Sequence, residues 1–446
     1  MRHALERARA LASAGADEAA KHAYLEVLLH DPTHCAALLE LGTLAEASGH
    51  RSAARTAYRQ AVRHHPDNPT ARVCLGNLLA EDEDLPGARA QYEAALAAAP
   101  GFPQAHQGLA RVLAELGETA AEAHRQFGFA GHAISRRRYR GTGPGGQLLL
   151  LVAARGGNIP TRHWIDDRRF AVTTLCADFR DPAQPLPPHD LVVNAIGDAD
   201  LCAAALARAE VMLAGSTAPV INSPSRVGAT GRAEMARRLG GIPGVIAPRT
   251  QLLPRTELAA AEDLAFPLLL RAPGFHTGRH FVRVETRDAL AAAIAELPGE
   301  ALLAIQYLDA RGPDGMARKY RVMFIDGAAY PLHLAVAADW KVHYFTAQMA
   351  ASAAYREEER RFLDDMPGVL GAGGMAALGA IGATLGLAYA GVDFALAADG
   401  ALLVFEANAA MVVNPPDPDP IWDYRRPAAA AVLAAAQRML LAGGDV

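Results

Sequence analysis

Small and apolar side chains in the first third of the chain fall into columns spaced by 34 residues. Ala20, Ala54 and Ala88 form one column, Tyr24, Tyr58 and Tyr92 a second, Leu41, Leu75 and Leu109 a third. Gly42, Gly76 and Ala110 repeat a small residue, and Pro32, Pro66 and Pro100 repeat a helix terminator. Gly15, Gly49 and Gly117 share another column, which Glu83 breaks. Within each period the apolar spacing predicts two amphipathic helices of about 12–14 residues. The small columns let the helices of a pair approach closely, and Tyr and Leu fill the space between neighbouring pairs. Pro ends the second helix because it lacks a donor and clashes with the preceding turn.

After Gln147 the pattern changes to short apolar runs alternating with helical stretches. Residues 148–153, 170–175 and 190–196 read as buried strands, and 200–213 and 226–239 as helices. This βα alternation predicts a parallel sheet. The Gly156-Gly157-Asn158 turn is not a Gly-x-Gly-x-x-Gly fingerprint, and no Gly-x-x-x-x-Gly-Lys-Ser/Thr loop occurs. Near the C-terminus, 391–397 and 401–408 flank Asp399-Gly400, a hairpin signal. With a two-residue loop Asp393 faces Glu406, and Asn408 points to the same side. Facing carboxylates repel unless a cation sits between them. Two carboxylates and an amide oxygen suit Mg²⁺, which takes its other ligands from water and phosphates.

Composition narrows the class. The chain has 446 residues, 51% hydrophobic and only 6% aromatic, too apolar for disorder and long enough for two or three domains. A net charge of −5 argues against general nucleic-acid binding. Cys35, Cys74, Cys176 and Cys202 are too scattered for a disulfide framework or a zinc site, which favours a reducing, cytoplasmic setting. The N-terminus lacks the apolar core of a signal peptide. The uncharged run 367–392 is rich in Gly and Ala, and reads as a buried helix leading into Asp393, not a membrane span. The basic, Gly-rich stretch 136–147 reads as a linker.

The 34-residue period resembles a tetratricopeptide solenoid of about four helix pairs over residues 1–135. Such arrays present a concave groove, so a peptide, carrier or partner protein is the expected occupant, with a spacer or dimerisation surface as the plainer reading. His30 and His34 look like a metal pair, but Pro32 between them breaks the helix.

The rest resembles the ATP-grasp superfamily, in which a late Asp and a following Glu-x-Asn strand hold magnesium. Here these are Asp393, Glu406 and Asn408. The resemblance implies a small Rossmann-like subdomain at 148–222 and nucleotide-binding and catalytic lobes at 223–446. The fold class expected for the whole chain is an all-α solenoid followed by α/β and α+β lobes. Asn222 to Arg232 looks like the start of the central module, with Arg232 in place of a phosphate-binding Lys. Arg271 ends the next strand, again where Lys is common. Gly274, Thr277 and Gly278 lie in a loop similar to the one that closes over the phosphates. Gln306, Tyr307, Leu308 and Asp309 resemble the adenine-holding hinge. Lys319 and Arg321 alternate onto one strand face and would offset phosphoryl charge. His333 and His343, in a segment that also carries Trp340 and Lys341, are the substrate-side candidates, with a His pKa near neutral suited to taking a proton from an amine.

The resemblance implies an ATP- and Mg²⁺-dependent ligase. It would activate a small-molecule or peptide carboxylate as an acyl phosphate for attack by an amine. Arg232, Arg271, Lys319 and Arg321 would steady the phosphates, and no Ser-His-Asp or Cys-His motif is required. The alternatives are an ATP-binding interaction protein without turnover and a small-molecule kinase. No nucleic acid or membrane is expected as partner; a homo-oligomer is compatible with the sequence.

Overall fold

The computed structural model describes residues 2–137, 139–275, 278–342, 347–417 and 419–443. Two compact units divide the chain, one of residues 1–150, 154–156 and 166–190, the other of 151–153, 157–165 and 191–446.

The first unit opens with four helix pairs: α1 (Arg2–Ser13) with α2 (Asp17–His30), α3 (Cys35–Ala47) with α4 (Arg51–His64), α5 (Pro69–Glu81) with α6 (Leu85–Ala98), and α7 (Pro103–Glu115) with α8 (Ala121–Phe129). The columns explain the packing. A Cβ on Gly42 would lie 2.4 Å from the Tyr58 ring, and one on Gly76 would lie 2.8 Å from Tyr92. The Tyr rings therefore fill space inside their own pairs as well as between neighbours, since Gly108 of α7 also abuts Tyr92. The αL turns between paired helices use Gly15, Gly49 and Gly117, at φ 72°, 81° and 76°; Glu83 is held at φ 62° in the same place. His34 caps α3 through Nδ1, which accepts from Ala37 N–H.

The expected linker is part of this unit. Strand β1 (Ile134–Arg136) pairs antiparallel with β3 (Phe170–Cys176), and Arg137 N–H continues the ladder to Val172. Arg140 forks onto Asp167 and reaches Asp17 at the start of α2, where Arg168 also binds at 2.6 Å. At the other end of the array, Arg155 pairs with Glu122 of α8, and Phe179 stacks on Phe129. The first and last helix pairs are thus tied to one β-rich segment. The segment expected at 148–222 is shared between the units, 166–190 lying in the first, where β3 pairs with β1, and 191–222 in the second. The division falls within β2 (Gly146–Val152).

In the second unit, β4 (Leu191–Asn194) and β5 (Val220–Ile221) are parallel, with α9 (Ala203–Leu213) between them in sequence. In the first unit, by contrast, β3 runs antiparallel to β1, where the alternation predicts parallel strands. The single helix expected at 226–239 is two, α10 (Pro224–Gly228) and α11 (Arg232–Leu239), broken before Gly231. Strand β6 (Val245–Ile246) follows. A four-stranded antiparallel sheet has the order β7-β10-β8-β9, from β7 (Thr250–Pro254), β8 (Leu268–Arg271), β9 (Phe281–Val284) and β10 (Ala301–Gln306), backed by α12 (Arg255–Ala260) and α13 (Leu290–Glu296). Their core is Leu258, Leu268, Leu270, Leu290, Ile294 and Leu302 with neighbours. A second sheet has the order β12-β11-β13-β14-β6, from β11 (Ala317–Ile325), β12 (Ala328–Ala337), β13 (Tyr389–Leu396) and β14 (Leu402–Asn408). Helices α14 (Ala353–Asp364), α15 (Met366–Leu385) and α16 (Arg426–Ala442) pack against it.

Helix α15 is long and apolar enough to cross a membrane by length and composition. It is buried on one stripe only, through Leu370, Gly374, Ala377, Leu378, Ile381 and Leu385 against the sheet, while Gly371, Ala372, Gly373, Ala376, Gly379 and Ala383 face outward. The expected buried helix is thus buried along one face: the outer face is tolerated because its side chains are small, so their exposure costs little.

Stability of the array depends on two local details. A side chain in the αL region costs about 1–2 kcal/mol, against about 0.5–1 kcal/mol of extra entropy loss for Gly. Glu83→Gly should therefore raise the urea midpoint of the full chain, read by circular dichroism; an unchanged or lower midpoint would refute the strain. In the last pair His106 is buried, with Nε2 at 2.9 Å from Pro100 O and Nδ1 at 2.8 Å from His124 Nδ1. Nε2 donates to the carbonyl, so Nδ1 accepts from His124. Burial, and then the neighbouring His106, lower the His124 pKa from its ordinary 6.5. The unfolded chain then binds the proton first, so stability is present above pH 6.5 and falls as pH drops below it. His124→Gln should flatten that dependence in chemical unfolding between pH 7 and 5.

Candidate functional site

One row of side chains runs across four neighbouring strands of the second sheet. His333 of β12 is paired with Arg321 of β11, Arg321 with Asp393 of β13, and Asp393 with Glu406 of β14. All four line a cavity of about 550 Å³. The expected Asp393–Glu406 pairing is present, but by a different route. The turn holds three residues, 398–400, closed by Ala397 N–H to Ala401 O with Gly400 at φ 85°. A bulge between Asp393 and Phe394 then restores the register, leaving Phe405 as the extra residue. A second bulge, at Leu332, lies at the same level on the other side of the row. A bulge breaks the period-2 alternation. As a result Leu332 and His333 both line the cavity, and so do Phe405 and Glu406.

The carboxylates are clamped by cations. Asp393, 3% exposed, accepts from Arg321 Nε at 2.6 Å and Nη2 at 2.8 Å, and Lys319 Nζ lies at 3.2 Å. Burial would raise its carboxyl, but the Arg321 and Lys319 charges overcome that and hold it well below the ordinary range. Glu406 accepts from Arg232 and, at 2.7 Å, from Asn408 Nδ2. Burial again pushes upward, yet Arg232 and Arg271 bring Glu406 down to about 2. Asn408 Oδ1 accepts from Ala410 N–H, which fixes the amide. Arg232 begins α11, where its own N–H donates to Asp200 at 3.0 Å. Arg271 donates to Phe275 O and lies over the Phe281 ring; burial, and then Arg232, lower its pKa to about 10.

The first sheet supplies the other wall of the cavity through Leu269, Arg271, Phe281, Ile305, Gln306, Tyr307 and Leu308. Gln306 is fixed at both ends: its N–H donates to Arg249 O, and its side-chain oxygen accepts from Arg249 N–H. Trp340 meets Phe281 and Tyr307 edge-on, and Arg283 stacks on Tyr307 at 4.2 Å.

Of the residues expected from sequence, Arg232, Arg271, Gly278, Gln306, Tyr307, Leu308, Lys319, Arg321, His333, Asp393, Glu406 and Asn408 line this cavity. Gly274 and Asp309 are not among its lining residues; Gly274 abuts Leu201, and Asp309 is held by Arg311. Thr277 and His343 lie outside the described residues. His333 is corrected in character: burial, and then Arg321, hold its pKa well below 6.5, so it is neutral at pH 7 and not the near-neutral proton acceptor expected. Sequence reasoning missed Asp198, Arg425 and Asn414, which also line the cavity; Lys341, expected within the substrate-side segment, lines it as well, with its stem against Gly278. Asp198, Arg425 and Asn414 belong to no motif in the sequence, and only the fold brings them to the wall.

Comparison with known proteins concerns the repeats. The tetratricopeptide repeat family matches residues 39–103 and 75–127, so the helix pairs from α3 to α8 are tetratricopeptide repeats. No curated protein matches the chain. Among solved structures, a crystal structure of MamA is similar at 23% identity and a TM-score of 0.25, covering 26% of this chain and 70% of that one. A fragment titled MamA 41-end from Desulfovibrio magneticus RS-1 is similar at 22% and 0.25, covering 27% and 69%. Likenesses of that size say nothing of what this chain does.

The clamp predicts an acid limb. Glu406 is depressed from 4.5 to about 2. Its stabilisation is complete above pH 4.5 and is lost as pH falls toward 2. Glu406→Gln should therefore lose less unfolding free energy across that window than wild type. Parallel curves would show that the Arg232 contact is not retained in solution.

Proposed function

We propose that the second unit is an ATP- and Mg²⁺-dependent ligase of ATP-grasp type, which activates a carboxylate as an acyl phosphate and transfers it to an amine. One observation carries the reading: a single cavity has an apolar, aromatic wall on one sheet and a row of paired cations and carboxylates on the other. The first wall suits a purine, which would lie against Leu269, Phe281 and Tyr307 and meet the chain at Gln306–Leu308. The second suits a polyphosphate. Arg232, Lys319 and Arg321 lie along it, Arg271 acts on Glu406 from the opposite wall, and the four would offset charge spread over the transferring phosphoryl oxygens. Arg in place of Lys keeps the charge and adds a planar fork for phosphate oxygens.

The donor set fits magnesium. Asp393 and Glu406 are both held ionised, and Asn408 sits beside them on the wall. These three residues would hold Mg²⁺, which supplies charge neutralisation between phosphate oxygens when bound. The clamping arginines would then be available to the phosphates, since Arg321 and Arg232 bind those same carboxylates here. His333, neutral and beside Arg321, would orient a polar group of the substrate without adding charge. The tetratricopeptide repeats would hold a peptide, carrier or partner protein and raise its local concentration at the ligase.

The test is nucleotide turnover. Full-length protein with Mg²⁺, ATP and a pool of acids and amines should release ADP and phosphate. Glu406→Gln should reduce that release by at least 10²-fold, an electrostatic loss of the usual size, while the chain stays folded by circular dichroism. Turnover equal to wild type in Glu406→Gln, or failure of wild type to bind ATP, would sink the ligase reading.

A further inference from the structure

The cavity carries more positive charge than a nucleotide and its metal account for. Among the described residues its charged lining is Arg232, Arg271, Lys319, Arg321, Lys341 and Arg425 against Asp198, Asp393 and Glu406. Four of those cations lie with the carboxylate row, and Lys341 lies against Gly278 of the glycine-rich loop. Arg425 is the remaining one. It comes from the turn Pro420–Arg425 that leads into α16, and it shares its part of the wall with Ala429, four residues on in α16.

Arg425 is built into place. It is only 5% exposed, and its Nε and Nη2 donate to Glu359 at 3.0 and 2.6 Å. Glu359, with 0% exposure, also accepts from the Tyr424 hydroxyl and from Leu334 N–H at 3.2 Å. The guanidinium stacks on Trp422 at 4.1 Å. A carboxylate behind it and an indole across its plane thus fix its position. A buried ion pair of this kind is a poor source of net stability, because desolvating both charges costs about as much as their attraction returns. Glu359 is not among the lining residues, whereas Arg425 is, so the pair presents its cationic member to the cavity.

Resting on the ligase reading above, we propose that the acid substrate is a dicarboxylate, one carboxylate being activated beside Lys319 and Arg321 while Arg425 binds the other. The choice of carboxylate over phosphate follows from charge. Arg425 already shares its charge with the buried Glu359 behind it, so what it offers the cavity is less than a full positive charge. A monoanion is matched there and a dianion is not. Asn414 is a further polar residue of the cavity lining. Glu359 is a positioning residue in this assignment.

The experiment uses full-length protein with Mg²⁺ and the non-hydrolysable analogue AMP-PNP. Calorimetry measures binding of the dicarboxylates from malonate to adipate, L-aspartate and L-glutamate, each against the monocarboxylate of equal length. At least one dicarboxylate should bind tenfold or more tightly than its monocarboxylate counterpart. Arg425→Gln alone strands Glu359, so the decisive variant is Arg425→Gln with Glu359→Gln, which keeps the volume and removes both charges. It should bring that dicarboxylate down to the monocarboxylate level and leave AMP-PNP affinity unchanged. Equal affinities in wild type, no binding across the series, or a preference that survives in the double variant would each overturn the assignment. A dicarboxylate preference that requires Arg425, in a protein that does not bind AMP-PNP, would support the Arg425 site and overturn the ligase reading instead.

Discussion

The ion pair between Arg321 and Asp393 sits in the middle of a four-residue row, and the positions around it depend on it. Asp393 faces a second carboxylate on the next strand, an arrangement that repels in a buried sheet unless cations intervene. Arg321 meets Asp393 from one neighbouring strand, and Arg232 meets Glu406 from the start of α11. Each contact comes from a different element, so the row holds only if both strand registers and the helix start are correct together. The two bulges at its ends are part of the same arrangement. They place Leu332 and Phe405 beside polar neighbours on the cavity wall, where ordinary alternation would turn them away.

Much of this was legible in the sequence, unevenly. The repeats were clear because one period recurs in several columns and each column has a packing cause, as Gly42 under Tyr58 illustrates. The facing of Asp393 and Glu406 was legible from hairpin arithmetic, although the turn is longer than a two-residue loop and the bulge makes up the difference. The alternation of Lys319 and Arg321 was legible too, since period 2 is a local property. The row itself was not, because His333, Arg321, Asp393 and Glu406 come from four strands whose order no local pattern specifies. Phe405 and Leu332 were invisible for a related reason: a bulge inserts a residue without a sequence signature. Arg425 gave no signal because its meaning lies in Glu359, 66 residues away. The expectation of a titrating His333 failed on physics that sequence does not carry, since burial beside Arg321 removes the proton that a free imidazole would hold.

The two units use small residues for opposite ends. In the repeats Gly and Ala bring helices together, and substitution there meets an aromatic ring. In α15 the outward Gly and Ala leave a helix that is apolar by composition yet exposes little greasy surface. The same composition that makes the chain look featureless therefore marks tight contact in one place and the lack of it in another.

The row across the sheet also bears on how the chain finds its fold. Sliding β14 by one residue against β13 would turn Glu406 to the opposite face of the sheet and leave Asp393 opposite an apolar neighbour. Stranding a buried charge in that way costs several kcal/mol, and a slip of one residue moves every side chain of the strand to the wrong face. The polar groups that would serve chemistry thus act as a registry check during assembly. They penalise misaligned hairpins that hydrophobic burial alone, nearly continuous on both faces of β13, would tolerate.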